Sequence, residues 1–470
     1  MMKRINSKGA NAQIFYNFVS TIVRTGVSFF TMPIFTRLLG AKQYGLYSLA
    51  FSWISIFSCI MGFNIGSGLA RGKYKYHDTY KDYKSSLLLA GTAISAGIIA
   101  ILLIGYPITV SLIKFNFTIY CIVIIEAFAE FVISFVGVTW IYEKKAVNNM
   151  ILTVVTVLTT TVFSMVLILF WPAQEMSKLY YGRVIGIFVP QVLIALFLWF
   201  IVFFRHPYGF NKEYLKYGLN FGIPMVFHTL SHNILTASDR LMMQQFNVDG
   251  ALIGIYSFFY TFASILNSVL STFGNSWVPF YMDNLDSKNY SNLKKMVKNY
   301  VQVFTVITVG FLMLAREMTF IFANEEYWSG LPILPLIILA IYCVFIYQFY
   351  VNFESYEEKP KIITIGTAFA ACTNILLNYF LIPKYGMYGA AMATLAGYGA
   401  LVFFHAFIVY RLLKHKYPLP SISQVIGFAI VVIFSFLYYI LADYWFIRWM
   451  IAILSGIYLL REIYKRKTIF

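Results

Sequence analysis

The stretch QIFYNFVSTIVRTGVSFFTMPIFT, Gln13 to Thr36, is long and apolar enough to cross a bilayer as a helix, yet it carries Arg24 at its middle. A charge there costs about 2.5–3.5 kcal/mol on insertion scales, so the surroundings must compensate for it. Gln13, Asn17, Thr21, Arg24, Ser28 and Thr31 recur at intervals of four and three and so share one helical face. Lipid cannot solvate that stripe, so the face looks into other helices or a water-filled cavity at membrane depth. A polar seam between packed helices is the plainer reading; a cavity wall is the one the charge favours.

Outward from this stretch, the composition is of the same kind. Apolar residues make up 60% of the chain and charged residues 12%, which excludes a soluble globular domain of this length. The net charge of +17 does not indicate nucleic acid, because the basic residues fall between apolar runs, where they mark cytoplasmic loops. Cys59, Cys121, Cys343 and Cys372 lie inside apolar runs without paired ligand spacing, so neither a disulfide framework nor a metal site is indicated. No cofactor is expected.

Apolar runs of span length occur about fourteen times, beginning with residues 12–36 and 43–69, with a seventh at 217–238 and a last at 446–462. The connections alternate in charge, with 26 Lys and Arg on one side and 8 on the other. The positive-inside rule then puts both termini in the cytoplasm. The outer connections are too short to hold a folded domain, and the longer basic loops near 70–85, 205–216 and 281–295 face the cytoplasmic headgroups.

The chain also repeats itself. Thr36-Arg37-Leu38 is echoed by Asp239-Arg240-Leu241, and Tyr44-Gly45-Leu46-Tyr47-Ser48 by Ile253-Gly254-Ile255-Tyr256-Ser257, the second copy having a turn six residues longer. Beyond the turn, Ser48, Ser52, Ser55 and Cys59 stay in register with Ser257, Thr261, Ser264 and Ser268, a small or polar stripe at helical spacing in both copies. Small residues on one face also suit close helix packing. The repeat implies two six-helix lobes, residues 1–208 and 209–416, followed by two further helices and a basic tail, 417–470. An even number of spans per lobe relates the lobes by an axis along the membrane normal, the arrangement in which transporters place substrate between them. In the seventh span Asn220, His228, His232, Thr236 and Asp239 share a face, with Pro224 able to kink it.

These residues resemble the polysaccharide-transport branch of the multidrug/oligosaccharidyl-lipid/polysaccharide exporter superfamily. The similarity is carried by Pro33-Ile34-Phe35-Thr36-Arg37-Leu38-Leu39-Gly40 with Tyr44-Gly45-Leu46-Tyr47, and by Gly222-Ile223-Pro224 leading to Asp239-Arg240. Trp277-Val278-Pro279-Phe280-Tyr281, Asn374 to Asn378 and Ile382 to Ala391 continue it in order. The resemblance implies an all-α V-shaped bundle whose first, second, seventh and eighth helices line a cavity. It also implies a flippase moving an undecaprenyl-diphosphate-linked oligosaccharide across the bacterial cytoplasmic membrane for capsule-like or O-antigen-like surface polysaccharide. In relatives basic cavity residues hold the lipid diphosphate, which maps here onto Arg24. The substrate-facing set is then Arg24, Asn17, Thr21, Ser28, Ser52, Ser55, His228, His232, Thr261 and Ser264. The partners implied are the lipid-linked oligosaccharide, the bilayer, and the polymerase and glycosyltransferases of the same pathway, for a protein expected to be a monomer that binds no nucleic acid.

Two rival classes make different demands. A polytopic polymerase or glycosyltransferase needs convergent carboxylates held near its substrate, commonly in a sizeable outer loop, and no such loop is present. A cation-coupled drug antiporter of the same superfamily wants an acidic cavity, which Glu126 and Glu130 could supply, whereas Arg24 points to an anion. Glu126 and Glu130 lie one turn apart in the fourth span; they read either as a structural ion pair with Arg183, expected at similar depth, or as a relay for a coupling ion, H+ or Na+. His228 and His232 also fit hydrogen-bonded positions in a cavity wall. Arg37, Asp239 and Arg240 are expected at helix ends near the outer surface, as a gate or a turn-stabilising pair.

The charge bias makes the topology testable. Reporter fusions after Lys84 and Lys216 are expected to read cytoplasmic and one after Ala173 external; an external signal at Lys216 would remove the two-lobe arrangement.

Overall fold

The computed structural model describes the backbone of residues 7–412 and 422–466, and among these it is helical throughout, with no strand. In chain order the helices of the first half are α1 (Ser7–Ile60), α2 (Leu69–Lys75), α3 (Tyr80–Ile104), α4 (Tyr106–Ile113), α5 (Phe117–Tyr142), α6 (Ala146–Leu169), α7 (Tyr180–Arg205) and α8 (Lys212–Gln245). Those of the second half are α9 (Gly250–Asp286), α10 (Tyr290–Phe322), α11 (Leu334–Tyr356), α12 (Pro360–Tyr385), α13 (Met387–Leu412), α14 (Ile422–Ile440) and α15 (Trp445–Arg466). Three 3₁₀ segments, Met61–Gly68, Ala173–Lys178 and Glu325–Ile333, join neighbours.

Among the described residues eleven helical stretches are long and apolar enough to cross a membrane, and the chain is a multi-pass membrane protein. The first stretch, Val19–Lys75, holds two of the expected spans, because α1 continues past a single break at Gly40. The spans expected at 217–238 and 446–462 are helical as α8 and α15 but fall outside the eleven. Side chains such as His228, His232 and Asn233 on α8 and Arg448 and Arg461 on α15 dilute their apolar character.

The chain forms two compact units, Met1–Leu241 and Met242–Phe470. The expected lobe boundary at 208/209 precedes α8, whereas the first unit runs on into that helix. Small residues explain why: a Cβ on Gly218 would lie 2.8 Å from Ile65, and one on Gly222 would lie 2.4 Å from the Phe63 carbonyl, so this part of α8 packs backbone-close on residues 61–68. Within the first unit α6 and α7 approach equally closely, since a Cβ on Gly186 would sit 2.4 Å from Ser164 Cα.

The second unit is built on an aromatic core. Trp277, Tyr281, Tyr300, Phe304, Phe345 and Phe349 are all buried, with ring centroids 4.7 Å apart for Trp277 and Tyr281 and 4.3 Å for Phe304 and Phe345. The described part of the last two helices belongs to this unit rather than standing apart. Gln302 on α10 hydrogen-bonds Tyr458 on α15, and the buried Arg448 on α15 binds Glu317 on α10 together with the carbonyls of Leu441 and Ala442 that follow α14. One arginine thus closes the end of α14 and fixes both helices to α10. Between α11 and α13 the fully buried His405 Nδ1 donates to Glu354, 2.7 and 2.9 Å from its two oxygens.

At a loop end of the first unit, Glu143 follows α5 and receives Lys84 of α3 and Lys145, at 2.6 and 2.5 Å. Desolvation pushes the Glu143 carboxyl up, but the hydrogen bonds and charges of Lys145 and Lys84 outweigh it and hold the group below its ordinary value. A carboxylate lowered on folding contributes stability that is present above the unfolded value, about 4.3, and is lost as pH falls through the folded value. Thermal unfolding in detergent is therefore expected to show an acid-side loss of stability below about pH 4.5 that is smaller in Glu143→Gln. An unchanged acid limb in that variant would show that the lysines do not act through this carboxylate.

Candidate functional site: a polar cavity in the first unit

α1 is two helical arms broken at Gly40, whose φ of 67° and ψ of 169° leave the helical region. Arg24 lies on the first arm, and Ser58 and Cys59 lie near the end of the second. The chain then unwinds. Gly62, Phe63 and Asn64 have φ of 57°, 46° and 50°, a left-handed run that glycine tolerates and that costs Phe63 and Asn64 about 1–2 kcal/mol each. Packing holds it in place, because a Cβ on Gly62 would lie 2.3 Å from the Phe131 ring. Ser67 Oγ donates to Asn64 Oδ1 at 3.1 Å across the same turn. Irregular backbone inside a membrane protein is tolerated where it is buried in protein or lines a cavity, and Asn64, Gly66 and Ser67 line one.

That cavity encloses about 870 Å³. Its polar wall comprises Arg24, Ser58 and Cys59 of α1, Glu130 and Ser134 of α5, and Asn149, Thr153 and Thr156 of α6, with Gln191 of α7 and Thr229 and Asn233 of α8. Asn233 Nδ2 donates to the Ser55 carbonyl at 2.7 Å and to Cys59 Sγ at 3.1 Å, fastening α8 to the second arm of α1. The Arg24 guanidinium has no hydrogen-bond or ion-pair partner among the described residues. A permanent cation thus faces a polar space without a protein counter-ion in contact.

Of the substrate-facing set expected from the sequence, Arg24 is the member that lines this cavity. Thr21 and Ser28 are exposed outside its lining, and the side chain of Asn17 lies outside the described residues. Ser52 is buried and donates to the Ser48 carbonyl, while Ser55 reaches the wall only through the carbonyl that Asn233 holds. His228 and His232 do not line it either. The α8 face that does is Met225, Thr229 and Asn233, one residue further round the helix, because the close backbone approach at Gly218 and Gly222 fixes the rotation of α8. Thr261 and Ser264 belong to the second unit, where Ser264 Oγ donates to the Thr261 carbonyl.

The expected ion pair of Arg183 with Glu126 and Glu130 is not formed. The Arg183 guanidinium instead lies 3.7 Å from the Phe35 ring centroid and 5.4 Å from that of Tyr47, contacting α1 on both sides of the Gly40 break. Glu126 is fully buried with neither oxygen hydrogen-bonded, whereas Glu130, one turn on, opens into the cavity beside Ser58. Arg37 lies one turn before the break at Gly40, and Asp239 and Arg240 lie near the end of α8, where Arg240 Nη1 donates to the Thr236 carbonyl at 3.1 Å. The longer turn of the second repeat has its origin here. The first copy turns at Gly40 alone, while the second stays helical to Gln245 and turns through residues 246–249. The cavity residues missed from the sequence are mainly Asn149, Thr153 and Thr156 on α6, with Gln191. The α6 residues have the helical spacing that drew attention to α1, and that spacing was signal enough.

Solved membrane transporters share this all-helical architecture. The lipid II flippase MurJ in an inward closed conformation superposes with a TM-score of 0.66 at 17% identity, covering 96% of this chain and 99% of that one. An inward-facing multidrug resistance MATE transporter of the MOP superfamily gives 0.58 at 12%, covering 91% and 95%. At such identities the likeness concerns the fold. Residues 11–285, more than half of the chain, match the polysaccharide biosynthesis protein family, and the chain belongs to that family. An Lsg-locus protein of Haemophilus influenzae is 22% identical over 274 residues, covering 56% of this chain and 63% of that protein. An uncharacterised membrane protein of Methanocaldococcus jannaschii is 28% identical over 94 residues, 20% of this chain and 18% of that one. The matches thus span less than two thirds of either relative.

The unwound segment gives a direct test of the cavity wall. Gly62→Ala is expected to destabilise the protein by at least about 1–2 kcal/mol from the left-handed backbone alone, with the Phe131 clash added. Adding Phe131→Leu should restore only the clash component, read as the melting temperature of the purified protein; full stability in Gly62→Ala would show that the left-handed run is not required.

Proposed function

We propose that the protein is a flippase that carries a diphosphate-linked oligosaccharide on an undecaprenyl lipid across the cytoplasmic membrane, by alternating access, for surface polysaccharide assembly. Both termini are then cytoplasmic, and the sugar-adding and polymerising enzymes act before and after it. The observation that carries this reading is Arg24, a cation without a contacting partner in the polar cavity of a chain from a polysaccharide biosynthesis family. A lipid-linked sugar crosses with its polar head in protein and its tail in lipid, so the protein must neutralise a diphosphate at membrane depth. Guanidinium is suited to that task, being permanently charged and able to grip phosphate oxygens through two parallel hydrogen bonds. The cavity's amides and hydroxyls match sugar hydroxyls, which can donate and accept. A cation antiporter would instead have to admit its substrate beside this guanidinium, at the cost of like-charge repulsion.

Arg24→Ala is expected to abolish surface glycan while the protein stays at normal level in the membrane, and Arg24→Lys, which keeps the charge and loses the fork, to retain partial export. Surface glycan is measured beside membrane protein level. Full surface glycan in Arg24→Ala at normal expression would overturn the assignment of the diphosphate to Arg24.

A further inference from the structure

Arg24 faces the cavity from α1, and the wall supplied by α5, α6 and α7 is of different chemistry. Ser134, Asn149, Thr156 and Gln191 all line it, and their side chains make no hydrogen bond among the described residues. Thr156 Oγ1 is buried without a partner, an arrangement that buried polar atoms rarely sustain unless a ligand or water completes it. Between them Glu130 presents a carboxylate whose neighbour in the wall is the Ser58 hydroxyl. Arg24 and Glu130 are the two charged residues of the lining, and no ion pair joins them. A carboxylate has about four acceptor sites, so Glu130 keeps capacity for further donors.

We propose that Glu130, with Asn149, Gln191 and Thr156, forms a subsite for an uncharged, hydroxyl-bearing sugar and discriminates against acidic sugars. The inference rests on the flippase reading and deepens it. Two neighbouring sugar hydroxyls can donate to one carboxylate, and amide groups can both donate to and accept from the remaining hydroxyls, so this wall has the chemistry to pair with a neutral sugar. A uronic acid brings a second carboxylate with no donor of its own against Glu130, which costs both repulsion and desolvation. A hydrogen-bonding site discriminates strongly because its own polar groups are left unpaired when the wrong ligand enters.

The test uses the full chain in nanodiscs and three probes: polyprenyl diphosphate alone, the same lipid bearing glucose, and the same lipid bearing glucuronate. The wild type is expected to bind the glucosyl lipid at least about tenfold more tightly than the glucuronyl lipid, the size of effect typical of hydrogen bonds to a charged group. Glu130→Gln should bring that ratio to within about twofold; because both sugar lipids carry the same diphosphate, the ratio reads the sugar subsite whatever the variant does to binding of the bare lipid. Gln191→Ala, which leaves the carboxylate in place, should weaken the glucosyl lipid alone, so a folding failure in one variant does not remove the test. Equal affinities for the two sugar lipids in the wild type, or an undiminished ratio in folded Glu130→Gln, would overturn the subsite while leaving the diphosphate reading intact. Failure of the wild type to bind the bare lipid, or bare-lipid binding indifferent to Arg24→Ala, would overturn the flippase reading and this one with it.

Discussion

Hydrocarbon solvates neither a charge nor an unpaired peptide group, and the cost of leaving either in contact with lipid constrains the polar residues of the described spans. In the second unit several buried polar groups pair with one another. Glu354 and His405 are fully buried and hydrogen-bonded to each other, and the Arg448 Nη atoms donate to Glu317 and to the carbonyls of Leu441 and Ala442. Such arrangements hold helices together. The first unit solves the same problem by opening a cavity, into which Arg24, Glu130 and a set of amides and hydroxyls turn.

The cavity depends on a local sacrifice of regular helix. Continuing α1 through residues 61–68 would satisfy the backbone at no strain, yet the chain takes a left-handed run through Gly62, Phe63 and Asn64. The neighbours make that conformation the better one, since Phe131 fills the space beside Gly62 and the bare α-carbon of Gly222 admits the Phe63 carbonyl. A side chain at either glycine would push apart two elements that form one wall. The break turns Asn64 and Ser67 toward the polar space, where a straight helix would have carried them round its axis.

Arg183 is a charge held on aromatic faces without a counter-ion, its Nε and Nη1 buried and making no hydrogen bond. Its guanidinium lies on the faces of Phe35 and Tyr47, one from each arm of α1, so the break at Gly40 is spanned by a contact made from α7. Guanidinium is weakly hydrated and stacks well on aromatic faces, which an ammonium does poorly. The carboxylates are thereby left to other surroundings, Glu130 in the cavity and Glu126 in the packed interior.

By itself the sequence determined that the chain is helical and membrane-spanning, because span-length apolar runs admit no other backbone in lipid. It also identified Arg24 as a residue needing a polar surrounding, since charge and helical periodicity are both local properties. The family was legible in the order of its motifs, from Pro33 to Gly40 onward. Which polar residues meet was decided only by the tertiary structure. Periodicity assigns a residue to a face of its own helix, but the rotation of that helix is fixed by its packing, which brought Thr229 and Asn233 to the cavity in place of His228 and His232. A common depth suggested Arg183 as the partner of Glu126 and Glu130, yet depth carries no information about direction around the helix axis, and the guanidinium found aromatic rings instead. The same holds for the unwound segment, whose glycine is visible in the sequence while the ring that occupies the space beside it comes from a helix more than sixty residues away.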